Sequence, residues 1–169
     1  NENLLCSFVI ELSISISKQF EISKIVSLSI CDLLIDLGLS PEIKWPNDIL
    51  VSKQKIAGIL IQNKLKGDLL IHSIVGVGLN INQIHFNDYS PKATSLQLLL
   101  NKKSEVDKVQ VQLLQFLSDR IEIYRQGIPQ QEEYLKMLYL KDKVAPFETK
   151  GRKIIGIIKE VSQSGKLLL

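Results

Sequence analysis

Lys44-Trp45-Pro46-Asn47-Asp48 sets an ammonium, an amide and a carboxylate close together, and a second ammonium follows in Lys55-Ile56-Ala57-Gly58. These groups suit a reaction that joins two anions. When a carboxylic acid is activated by ATP, charge must be neutralised at the α-phosphate and at the attacking carboxylate. Lysine serves this as a compact point charge with three donors. Lys55 is the candidate, because small Ala57 and Gly58 follow it and let a ligand approach the backbone. Gly58 also interrupts an otherwise strand-like apolar run. Asn47 and Asp48 are hard oxygen donors of the kind Mg²⁺ takes together with phosphate oxygens. Asp48 is therefore a candidate for the metal or its waters, and Asn47 for a phosphate or ribose oxygen. The same pair equally suits an Asx-turn that ends a strand. Trp45, the single tryptophan, fits a core plug or a pocket wall. Lys44 alternates with it, so the two side chains are expected on opposite sides.

A further block, Val75-Gly76-Val77-Gly78-Leu79-Asn80-Ile81-Asn82, lacks the third glycine and the following helix of a dinucleotide fingerprint, which excludes that reading. Gly76 and Gly78 at alternate strand positions leave one face bare. A planar ring, a thin chain or a packed helix would fit there. Asn80 shares the face and offers an amide.

Positioning these groups falls to elements that the pattern predicts. Residues 4–17 alternate as a half-buried strand. Ser23 is expected to cap a helix carrying Ile25, Val26, Ile30, Leu33, Leu34 and Leu37, closed by Gly38 with Pro41 beyond. Residues 43–51 and 56–62 read as a β-hairpin with Lys55 at its turn, 64–68 as a turn, 69–79 as a long buried strand and 84–91 as loop. A helical turn starts at 93–96. Ser104 and Asp107 precede an amphipathic helix through Val109, Leu113, Leu117, Ile121 and Tyr124 that ends near Gly127, and a second helix spans 130–140. After a boundary near Leu140 the pattern changes to short strands over 144–147, 153–161 and 166–169. Turns at Lys150-Gly151 and Ser164-Gly165 separate them, as in a small β-barrel.

The 169 residues suit one domain with a small appendage. A net charge of +3, with lysines scattered rather than striped, gives no footprint for nucleic acid. Cys6 and Cys31 form neither a disulfide framework nor a zinc motif, and read as free thiols of a reducing cytosol. His72 and His85 lack neighbouring ligands for a metal. No apolar run is long enough to span a membrane. The chain begins at Asn1 before a strand and stops at Leu167-Leu168-Leu169, so both ends read as cut edges of a larger protein.

KWPND, KIAGIL and VGVGLNIN together resemble the biotin–protein ligase family, and the resemblance covers nearly the whole chain. It implies an α+β fold, a mixed β-sheet backed by helices of the class II aminoacyl-tRNA synthetase/biotin ligase kind, followed by a small SH3-like β-barrel. Residues 1–140 would be the later part of the catalytic domain and 141–169 the start of the barrel. The implied reaction forms biotinyl-5′-adenylate from biotin and ATP with Mg²⁺, then passes biotin to a lysine of a biotin carboxyl carrier domain. By the same resemblance, Lys55 contacts the biotin carboxylate and the α-phosphate, and Gly58, Gly76 and Gly78 line the substrate. Asn3, Asn47, Asp48 and Asn80 lie on the nucleotide side, with Asp48 also at the metal. A cytoplasmic location and a homodimer are compatible with this. A lipoate–protein ligase, sharing fold and chemistry, is the alternative; the pairing of KWPND with KIAG favours biotin. A non-catalytic binding fragment is the other.

The family's glycine/arginine-rich loop and the residues that bind the biotin ureido ring belong upstream of Asn1. A closing loop excludes water and holds a labile intermediate. The 169 residues alone are therefore expected to bind nucleotide weakly and to transfer no measurable biotin. A transfer assay beside the full-length protein checks this, and comparable transfer by both would contradict it.

Overall fold

The computed structural model describes residues 2–88, 91–149 and 151–169. Asn1, Tyr89 and Ser90 of the expected loop, and Lys150 of an expected turn lie outside these residues. Its centre is a six-stranded sheet in the order β1-β6-β5-β4-β3, with β2 also pairing β6. The strands are β1 (Leu4–Ile10), β2 (Ile14–Ser15), β3 (Pro41–Lys44), β4 (Asp48–Val51), β5 (Gln54–Lys66) and β6 (Leu69–Leu79). Every ladder is antiparallel, so the sheet is not mixed as expected. Among the described residues, parallel pairing appears only as single bridges such as Ile43 to Leu138.

Alternation along these strands sorts the side chains. Leu4, Ala57, Ile59, Val75, Val77 and Leu79 point into the core, whereas Leu5, Val9, Leu60 and Ile74 are exposed on the other face. The expected strand over 4–17 is divided into β1 and β2 by a break at residues 11–13, and the Ser15 hydroxyl then accepts from the Ser17 amide as the chain enters a short 3₁₀ turn, Ile16–Lys18. Helix α1 (Phe20–Asp36) then starts before Ser23, which lies inside its first turn. Ile22, Ile25, Leu28, Ile30, Leu33 and Leu34 are all fully buried. An apolar surface this wide suits a helix covered on both sides: α1 contacts β3, β4 and β5 as well as α3 (Val106–Arg125) and α4 (Gln131–Lys136). Gly38 closes it at φ +79°, donating to the Ile35 carbonyl at 2.8 Å while Leu39 donates to Leu34 at 2.9 Å. A short α2 (Leu96–Leu100) is capped by the Ser95 hydroxyl.

Beyond α4 the chain turns at Leu140 and Asp142, both at positive φ. It then forms two separate ribbons, β7 (Val144–Thr149) with β8 (Arg152–Ile157) and β9 (Glu160–Val161) with β10 (Leu167–Leu168). No closed barrel is formed among the described residues. Both cysteines are free, Cys31 buried and Cys6 half-buried, and burial pushes both thiols up. No helix among the described residues is long and apolar enough to cross a membrane.

The helical layer is locked by Arg120 of α3. Its Nε and a terminal nitrogen bind both Asp32 oxygens at 2.6 and 2.8 Å, and its other terminal nitrogen binds Glu133. The hydrogen bond to Asp32 holds the guanidinium pKa above its ordinary value, with Glu133 adding to the effect. Arg120→Met leaves a partly buried Asp32 without its counter-ion. The expected loss is about 2–3 kcal/mol, below the fully buried case because Glu133 is exposed. Urea unfolding of both proteins checks it.

Candidate active site

The pentapeptide is the turn of a hairpin: β3 and β4 pair with Lys44 opposite Asp48, so 43–51 is two strands rather than one. A second tight turn follows at once. Ser52 and Lys53 both adopt positive φ (51° and 63°), the twist that suits a two-residue hairpin connection. Lys55 is thus the second residue of β5, past the turn.

Its direction is set by a β-bulge. Asp48 faces Gly58 and Ile49 faces Ala57, but Leu50 faces Lys55, so Ile56 is an extra residue with no partner on β4. Without it, Lys55 would share the face of Ala57 and Ile59, which is the core. The bulge re-aims it to the Gly58 side. Ile56 goes into the core, and its carbonyl accepts from the Asn80 amide at 2.9 Å. The backbone of Lys55 is held on its other edge by residues 92–94: its amide donates to Lys92 and its carbonyl accepts from Thr94.

The result is a charge cluster. Lys55 Nζ lies 2.5 Å from Asp48 Oδ1, and Lys44 Nζ lies 3.8 Å from Asp48 Oδ2. The Asp48 side chain is 15% exposed and that of Lys55 40%. Gly58 makes room for this: a Cβ there would sit 3.4 Å from both Nζ and Cε of Lys55. The cluster opens on a cavity of about 590 Å³ that Lys44, Asp48, Lys55, Gly58, Gly78 and Asn80 help to line. Gln83, Phe86, Pro91 and Ala93 also line it. Ammonium groups beside bare glycine backbone can bind an anion and a flat or thin apolar body next to it.

Other expected residues stand elsewhere. Gly76 lies further along the open face, between Ser7 and Leu60, and does not line the cavity. Asn47 is exposed and turned to β5: its amide donates to the Ile59 carbonyl, and the Ile59 amide donates to the Asn47 carbonyl, both at 2.9 Å. Asn3 accepts from the Ile81 amide at 3.0 Å and donates to Gln83 at 2.6 Å, fastening the chain after β6. Asn80 lines the cavity while donating to the Thr94 carbonyl. Trp45 is half-buried, and its indole donates to Gly165.

Lys44 belongs to the site more closely than its alternation with Trp45 suggests, because the turn ends the strand there and the period-two rule no longer applies beyond it. Gln83, Phe86 and Ala93 carried no local signal. A resident metal does not fit: both Asp48 oxygens face lysines, and no group of three His, Cys, Asp or Glu could hold one among the described residues.

Residues 1–80 match the family model described as biotin/lipoate A/B protein ligase. The bifunctional ligase/repressor BirA of Bacillus subtilis is 39% identical over 70 residues, 39% of this chain and 21% of that protein. The biotin–[acetyl-CoA-carboxylase] ligase of Mycobacterium tuberculosis is 30% identical over 129 residues, 75% of this chain and 46% of that one. The chain thus spans less than half the length of these curated relatives. Among solved structures, the biotin protein ligase of Aquifex aeolicus in complex with biotin and ATP superposes with a TM-score of 0.79 at 22% identity, covering 99% of this chain and 71% of that one. A biotin protein ligase-like protein of unknown function from Silicibacter gives 0.82 at 13% identity, with 99% and 74% covered. At these identities the structural likeness shows the fold.

Gly58→Val presses a branched side chain on the Lys55 ammonium and separates it from Asp48. Acylation of Lys55 by an amine-reactive reagent, followed by mass spectrometry with Lys53 as internal standard, is expected to run faster in the variant. An unchanged ratio would show that the pair does not need Gly58.

Proposed function

We propose that this chain, a member of the biotin/lipoate A/B protein ligase family, carries the phosphate-facing half of an active site that attaches biotin to a lysine of a carboxylase carrier domain. The observation that carries the reading is the Lys55–Asp48–Lys44 cluster on the rim of a glycine-floored cavity. In the first step a biotin carboxylate oxygen attacks the α-phosphorus of MgATP, forming biotinyl-5′-adenylate and releasing pyrophosphate. In the second, a carrier lysine amine attacks the acyl carbon, an amide forms, and AMP leaves.

Lys55 is the catalytic group on this reading. Its three donors bridge the biotin carboxylate and the α-phosphate, lowering the repulsion between them where charge develops. Lys44 lies within reach of the same anions. Asp48 holds both ammonium groups in place before the substrates arrive, and Mg²⁺ enters with the nucleotide rather than on a site of its own. Gly58 and Gly78 let the ligand lie against the sheet, and Asn80 turns towards the nucleotide. Residues 1–140 are then catalytic, and the ribbons after residue 140 begin a small SH3-like barrel. Biotin is favoured over lipoate because the Mycobacterium tuberculosis relative is a biotin–[acetyl-CoA-carboxylase] ligase by name, while the family model spans both.

Lys55→Ala in the full-length protein is expected to reduce biotin-dependent exchange of labelled pyrophosphate into ATP by about 10²–10³-fold. Folding stability should fall by less than about 1 kcal/mol, because Lys55 is well exposed to solvent and Asp48 keeps Lys44 beside it. Near wild-type exchange in the variant overturns the role of Lys55, and exchange that answers to lipoate but not biotin overturns the substrate.

A further inference from the structure

We propose that Gly165 and Trp45 form a joint through which the C-terminal ribbons hold the Lys44–Asp48 turn at the cavity, so that Trp45 is a positioning residue for the site; its catalytic consequence rests on the function proposed above. The indole Nε1 donates to the Gly165 carbonyl at 3.0 Å. Trp45 opens the turn whose flanks are Lys44 and Asp48. A shift of the indole is therefore passed through a short, closed hairpin to both charges that face Lys55.

The other side of the joint is shaped for close approach. Gly165 adopts φ +86°, and a Cβ there would lie 2.7 Å from a ring carbon of Phe20. Its amide donates to the Ser162 carbonyl at 2.9 Å, and the Lys166 amide donates to the Ser162 hydroxyl at 3.0 Å. This tight turn sits directly on the start of α1, where the Phe20 amide donates to Gln163 at 3.3 Å. Phe20 in turn is buried and meets Tyr134 edge-on at 5.5 Å. The Gly165 carbonyl is thus presented by a ribbon turn that is seated on the start of α1.

The contact is also local. Around it, Lys44, Trp45, Tyr139, Phe147 and Leu167 line a cavity of about 660 Å³. On that side the described hydrogen bond between the turn and the ribbons is the one from the Trp45 indole to Gly165, while β3 before the turn is tied to Met137 and Tyr139 through Ile43. Lys44 lines this cavity as well as the one holding Lys55, so the two spaces meet at a charged residue of the site.

The test removes the donor and nothing else. In the full-length protein, Trp45 is replaced site-specifically by 3-benzothienylalanine, which carries sulfur where indole has N–H; Trp45→Phe and Gly165→Ala are made alongside. The substrate-free readout is the acylation rate of Lys55 relative to Lys53. The second is pyrophosphate exchange per titrated active site, with kcat and KM for ATP separated. A positioning role predicts faster acylation of Lys55 and a kcat about tenfold lower with KM nearly unchanged. A purely structural role would lower the melting temperature or the active fraction and leave both readouts alone, which overturns the proposal. If the wild-type protein exchanges no pyrophosphate with biotin or lipoate, the proposed function fails, and an unchanged Lys55 acylation ratio in the benzothienylalanine protein still decides against the joint. Should Gly165→Ala fail to fold, the two Trp45 replacements carry the test.

Discussion

A single unpaired residue, Ile56, governs the site. In an unbroken ladder, side chains of β5 would alternate strictly, and the core-facing set would include Lys55. Burying that ammonium among Ala57, Ile59 and Ile49 would cost several kcal/mol or force it to deprotonate. The bulge at Ile56 lets an isoleucine take the buried position and turns the lysine outward to Asp48. The tight turn at Ser52 and Lys53 fixes where β5 begins, and the bonds to Lys92 and Thr94 hold the displaced strand on its free edge. The long ladder of β5 with β6 then brings Gly58 directly opposite Gly78, so one bulge aligns charge and bare backbone on the same wall.

Electrostatics at this wall are moderate while the cavity is open. A carboxylate between two ammonium groups is well placed, but the lysines are exposed enough for water to screen them, and such pairs add little to stability. Their value lies in order: the charges already face each other across a hairpin with few rotatable joints. Excluding water from the cavity would strengthen every one of these interactions.

Three glycines illustrate different demands. Gly58 leaves space for Lys55 to reach Asp48, and Gly78 leaves the cavity floor bare against Leu5. Gly165 answers a backbone requirement, being both at positive φ and pressed on Phe20. Only the last would strain the chain on substitution whatever the surroundings. It lies far along the sequence from the charged turn, yet through Trp45 it touches the same hairpin.

Much of this was legible in the sequence because it is local. KWPND and KIAG marked the hairpin that carries Lys55, Gly38 and Pro41 bracketed the end of α1, and the long buried strand expected over 69–79 is β6 at both its bounds. The amphipathic pattern of α3 was readable for the same reason. What the sequence left open depends on register and on partners distant in the chain. A continuous apolar run from Ile56 to Ile61 does not announce which residue will be skipped, so the bulge that aims Lys55 was invisible. Asparagine offers its amide equally to ligand and backbone, and only the placement of Ile59 and Ile81 shows which backbone groups Asn47 and Asn3 bond. Gly76 and Gly78 look alike in sequence, but the cavity reaches only the one opposite Gly58. The sequence determined which chemical groups are available; the tertiary structure decided which of them face one another, because strand register and long-range hydrogen bonds are set by the whole sheet and not by neighbours in the chain.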